Sequence, residues 1–166
     1  SNKKNKALLV TGGTLTAIAD EAYELEEGGT KRASFSRGVE MFRGNVIVSG
    51  SGKLRAESVE EMAEATVMSN GLYISAGNLT VANSAEVAVA GAYAAYISGG
   101  SLRLDGGSLT AVSTQTADDN GNLGCAIDMD MDLNKQVADS GSITVSGGTL
   151  ETVNGDIRMS TISATG

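Results

Sequence analysis

An internal repeat constrains this chain more than any other feature. Four segments align: RGVEMFRGNVIVSGSGKLRAES from Arg37, NGLYISAGNLTVANSAEVAVAG from Asn70, AAYISGGSLRLDGGSLTAVST from Ala94, and GCAIDMD followed after an insertion by SGSITVSGGTLETVNG from Gly124. Incomplete copies bracket them, ALLVTGGTLTAIA from Ala7 and GDIRMSTISATG at the end. A fixed period of this length is the mark of stacked architectures, in which each copy is one structural unit.

Within each copy, three short runs alternate apolar and polar residues, and Gly, Ser or Asn separates them, as in LYIS-AG-NLTVAN-SA-EVAVAG. Period-2 alternation over four to six residues predicts a half-buried strand, and the small-residue pairs predict corners. Three strands and three corners make one coil. The shortest, from Gly71 to Ala94, spans 23 residues. A four-residue strand cannot pair within its own coil, so its backbone groups must pair with equivalent strands about 4.8 Å above and below. With Leu72, Ile74, Leu79, Val81, Val87 and Val89 as the inward set, one coil buries too little to offset the entropy of ordering it, and stacking is obligatory. The expected fold is all-β, a right-handed parallel β-helix with three strands per coil and about five coils.

A chain of 166 residues suits one such domain over residues 1–166. Insertions interrupt the period near residues 19–36, 58–68 and 129–139. The second, SVEEMAEATVM, has a Ser58–Glu61 capping-box spacing that predicts a short helix. Composition agrees with a thin, regular core: Gly is 22, Pro, Trp and His are absent, and aromatics are 4%.

The ISGG-S-L and VSGG-T-L units, with small-residue corners, resemble the GGTLT-type repeats of bacterial secreted and cell-surface β-helix proteins. Among these, the carbohydrate-binding β-helix family of Firmicutes is the most similar. The resemblance runs from about Ala7 onward, outside the insertions. It implies a secreted or cell-surface location, a polysaccharide or cell-wall glycan as partner, and calcium as the candidate ion. The chain then reads as a fragment of a longer secreted protein. No ligand motif of the family maps residue by residue onto this chain.

Several chemistries are excluded. Without His there is no Ser-His-Asp or Cys-His nucleophile scheme and no His-based zinc site. A net charge of −8 and a pI near 4.5 argue against nucleic acid, whose phosphates need clustered Lys and Arg. No stretch reaches the roughly 20 apolar residues of a membrane helix. A P-loop ending at Gly52-Lys53 lacks its first Gly and its Ser or Thr. Cys125, the one cysteine, falls on an inward position equivalent to Leu72 and Ala95 and reads as a small buried hydrophobe.

Two constellations remain. In IDMDMDL, strict alternation sends Asp128, Asp130 and Asp132 to one face, where they form either a cation site suited to calcium or a solvated acidic face. Registering the first strand of each coil places Glu40, Tyr73, Tyr96, Ala126 and Arg158 on one outward ladder. Tyr73 and Tyr96 become adjacent rungs. An exposed Tyr face is a platform for sugar C–H surfaces, with Glu40 and Arg158 to bond hydroxyls. The ladder can equally be a self-stabilising aromatic pair.

The expected function is that of a non-catalytic extracellular surface module, carbohydrate-binding or adhesin-like. The alternatives are a β-helix polysaccharide lyase or hydrolase using the acidic strand of Asp128 and Asp130, with Arg103 and Asp105 a second outward pair in SLRLDGG, and a purely structural spacer. A homo-oligomer formed through the end coils or the Tyr face is a further expectation.

Overall fold

The alternating runs become strand, and their polar backbone is satisfied between repeats, not within them. The computed structural model describes residues 6–21, 23–27, 30–59, 67–115, 124–129 and 141–159. These residues form β1 (Lys6–Val10), β2 (Thr14–Ala19), β3 (Tyr23–Glu27), β4 (Thr30–Phe42), β5 (Gly44–Val48), β6 (Lys53–Ser58) and β7 (Val67–Ser75). They continue with β8 (Asn78–Gly91), β9 (Tyr93–Ser98), β10 (Ser101–Ser113), β11 (Cys125–Asp128), β12 (Ser142–Val153) and β13 (Asp156–Arg158). No helix occurs among the described residues.

The fold is all-β with parallel sheets. One sheet runs β1-β5-β8-β10-β12, with β2 and β6 beside it, and the other runs β13-β11-β9-β7-β4-β3. Each of β8, β10 and β12 carries two strand segments divided at a corner. Residues Asn78–Val81 of β8 pair with β5, whereas Glu86–Ala90 pair with β6. A repeat thus supplies three segments, each matched to its counterpart in the neighbouring repeat.

The register stacks like on like. Leu8, Val46, Leu79, Leu102 and Ile143 form one column, and Leu15, Leu54, Val87, Leu109 and Leu150 another. All six inward positions expected for the shortest repeat, Leu72, Ile74, Leu79, Val81, Val87 and Val89, are buried in a single core cluster. Serines line one edge of that core, where Ser58 Oγ donates to Ser36 Oγ and shares a second 2.7 Å hydrogen bond with Ser69 Oγ. The Ser58 hydroxyl therefore bridges neighbouring repeats; of the span expected to be helical, residues 60–66 lie outside the described residues and Val67 and Met68 are strand.

Corners explain the glycines. Arg43, Ala76 and Gly99 occupy equivalent positions with φ of 53°, 53° and 62°, and each precedes a glycine, Gly44, Gly77 or Gly100. A Cβ on Gly77 would run into the carbonyl of Gly44, and one on Gly100 into that of Gly77. Just beyond, Asn45 Oδ1 accepts from Asn78 Nδ2 at 3.0 Å, and Asn78 Oδ1 accepts from Ser101 Oγ at 2.7 Å.

Two details differ from the sequence reading. The insertion at residues 19–36 contains a hairpin: β3 pairs antiparallel with β4 from Tyr23–Phe35 to Glu27–Thr30, and β4 runs on into the next repeat. The register at β11 is also shifted by two residues. Ile127 lies beside Ala95, and Cys125 beside Tyr93. Ala126, expected to face outward, is buried in the core cluster, which Cys125 does not join; the shift itself conserves the parity of Ile127 and Asp128, so alternation alone does not detect it.

Candidate functional site

The outer face of the β4–β7–β9–β11–β13 sheet carries the only aromatic ladder among the described residues. Glu40 is registered with Tyr73, Tyr73 with Tyr96, Tyr96 with Asp128, and Asp128 with Arg158. Four expected site residues, Glu40, Tyr73, Tyr96 and Arg158, are thus brought onto one ladder. Ala126 does not belong to it. It is fully buried in the core cluster, two residues before the rung that Asp128 fills.

In-register rings stack on one another. Tyr73 and Tyr96 have centroids 5.2 Å apart and planes 3° from parallel. The guanidinium of Arg37 lies over Tyr73, 3.6 Å from the centroid, and over Phe35 at 4.3 Å. Arg37 also pairs with Glu40, and Phe42 meets Tyr73 edge-on at 5.8 Å. Tyr73 is therefore covered on both faces, and Tyr96 is only 6% exposed. The face-on sugar platform expected from the sequence is absent at these rings, since adjacent rungs cover each other's faces. Ring edges remain, together with Phe42, which is 53% exposed, and Glu40.

At the other end of the ladder, Asp128 is buried, with Arg158 Nη1 3.7 Å from Oδ2. Arg158 also hydrogen-bonds Tyr93, whose phenol burial pushes up. Of the expected cation ligands, Asp130 and Asp132 lie outside the described residues. Among the described residues no three acidic or sulfur ligands gather. Asp128 has an arginine as counter-ion, so this carboxylate alone does not fit a calcium site.

Two further groups matter chemically. Cys125 is buried, its Sγ 3.1 Å from Ile127 O and 3.3 Å from Asp156 O, and burial pushes its thiol up to about 11. Burial and the raised pKa keep it a protonated thiol at neutral pH. Arg103 and Asp105 pair with each other on the exposed face of β10, and Ser146 donates to Asp105 across to β12. They form a surface ion pair beside a cross-repeat hydrogen bond.

Sequence reasoning missed Asp128 as a rung of the ladder, and Arg37 and Phe42 as the residues packed on Tyr73. The available signal was the recurring apolar-x-apolar triplet VEM, LYI, AYI, IDM and IRM, whose middle residues are the five rungs. Comparison with protein-family models, curated proteins and solved structures finds no match.

Proposed function

We propose that this chain is a right-handed parallel β-helix acting as a non-catalytic module of an extracellular bacterial surface protein, with the outer ladder as its carbohydrate-contacting face. The observation that carries the reading is the stack Arg37–Tyr73–Tyr96 with Glu40 and Phe42 at its side. It gathers the aromatic contacts on one face, whereas the exposed faces of β6, β8 and β10 carry ion pairs such as Arg55–Glu57 and Arg103–Asp105. The stack itself holds the rungs rigid, and Phe42 and Glu40 contact the glycan. Support for the β-helix comes from three parallel segments per repeat around one core. The secreted bacterial setting rests on the resemblance of the GGTLT-type repeats. Calcium enters this reading only through Asp130 and Asp132.

The test is titration with a panel of neutral and acidic polysaccharides, followed by Phe42→Ala and Glu40→Gln. Each variant is expected to weaken binding by about tenfold, roughly 1.4 kcal/mol, while leaving the fold intact. No binding across the panel, or binding unchanged in both variants, removes the carbohydrate reading. The structural spacer is the second reading, favoured by the covered faces of Tyr73.

A further inference from the structure

We propose that the chain associates head to tail with further copies of itself, the C-terminal end of one stack receiving the N-terminal end of the next. This inference stands on strand pairing and is independent of the carbohydrate reading.

Both ends of the stack present strand edges. Among the described residues β1 and β2 pair on one side only, with β5 and β6, and β12 and β13 on one side only, with β10 and β11. Such edges are templates for another strand. At the C-terminal end the core positions are also uncovered. Val145 is 49% exposed and Ile157 37%, although their register partners Leu104 and Ile127 are fully buried.

The two ends fit each other in sequence and register. Leu8–Ile18 reads LLVTGGTLTAI and Ile143–Val153 reads ITVSGGTLETV, with the Gly pair at the same place. The second glycine of each pair, Gly13 and Gly148, has φ of 72° and 89°. Laid edge to edge in the register used inside the molecule, Leu8 covers Ile143, Val10 covers Val145 and Leu15 covers Leu150.

The second sheet fits as well. In this arrangement β1 and β2 of the next copy pair with the two segments of β12, as β12 pairs with β10 inside the molecule. On the next copy, β3 pairs with β4 no further than Phe35, leaving Val39–Met41 beside β13. Ile157, Arg158 and Met159 then meet Val39, Glu40 and Met41 of that copy. Arg158 arrives next to Glu40, opposite charges on adjacent rungs, which favours the pairing. The ladder continues across the junction.

A contact between two different ends does not close on itself, so it builds linear chains of copies and no fixed oligomer. Edge-directed proline variants test this. Ser49 N donates to Val10 O, so Val10 turns its backbone groups to β5 and Leu9 turns its own away. Likewise Ser142 N donates to Gly100 O, which by alternation turns the N–H of Val145 away from β10. Leu9→Pro and Val145→Pro therefore each remove a donor from one outer edge and none from the internal ladder.

Sedimentation velocity of the full chain over a concentration series is expected to show a mass average rising by at least about twofold without a plateau stoichiometry. Each proline variant alone should stay monomeric with an unchanged far-UV spectrum. Their equimolar mixture should give a dimer and nothing larger. A wild-type chain that is monomeric at every concentration overturns the proposal without recourse to the variants. A mixture that stays monomeric overturns it too, as does a dimer formed by either variant alone, which would be a symmetric end-to-end contact.

Discussion

Tyr73 and Tyr96 stack face to face across adjacent repeats, 5.2 Å between centroids, and Arg37 closes the far side of Tyr73 at 3.6 Å. Their partners are 23 positions apart in the chain but neighbours in the ladder. The stack therefore reports directly on whether two repeats are seated on each other. Tyr73→Ala is expected to lower stability by about 2–4 kcal/mol, through lost burial and lost stacking. Arg37→Ala should cost about 0.5–2 kcal/mol, since its cation–π contact is largely desolvated. Urea unfolding, with the slope unchanged, measures both.

Corner packing makes a sharper contrast between two glycines. A Cβ on Gly77 meets the backbone of Gly44, whereas a Cβ on Gly12 meets nothing nearer than Ser51 Oγ at 3.8 Å. Gly77→Ala is expected to destabilise by about 3 kcal/mol or more, because one corner must lift off the next. Gly12→Ala should stay within about 0.5 kcal/mol. Thermal melts of the two single variants decide it.

The buried thiol predicts an alkaline limit to stability. Cys125 is pushed from 9.0 up to about 11, chiefly by burial, and Tyr93 is raised above 10.0 for the same reason. Above pH 9 the unfolded chain loses these protons before the folded one does. Between about pH 9 and 11 the folded state therefore binds more protons, and stability falls as pH rises. The urea midpoint is expected to decline across that window and to decline less in Cys125→Ala. Below it, the thiol should react with an aromatic disulfide reagent only on unfolding.

The Asp128–Arg158 pair separates an arginine counter-ion from a calcium ligand. Asp128→Asn is expected to cost about 1–2 kcal/mol, since Asp128 is buried but Arg158 is partly solvated. If Arg158 is the counter-ion, melting temperature is the same in chelator and in millimolar calcium for both proteins. A calcium-dependent rise that Asp128→Asn abolishes would place a metal there instead.

Alternation made the inward columns legible, because a parallel ladder that repeats three segments leaves Leu72, Ile74, Leu79 and Val81 nowhere to go but inward. It also made Tyr73 and Tyr96 neighbours, since their repeats are joined by the shortest interval and leave no room to slip. Across the longer interval to β11 the same reasoning fails. Cys125-Ala126 and Ile127-Asp128 both satisfy inward-outward order, and only packing volume selects Ile127 and Met129 for the core. The β3–β4 hairpin was hidden by its charge, although Gly28-Gly29 between Glu27 and Thr30 is a two-residue hairpin signal. The loss of a sugar platform follows from the ladder itself: rungs near enough to stack cover one another.

The ladder, the buried acid and the junction between copies all follow from the rung order Glu40, Tyr73, Tyr96, Asp128, Arg158. Interstrand backbone NOEs on the isotope-labelled chain test it most directly. Parallel-strand contacts linking Tyr73 with Tyr96 and Tyr96 with Asp128 are expected. Contacts linking Tyr96 with Ala126, or an antiparallel pattern between β9 and β11, would contradict it.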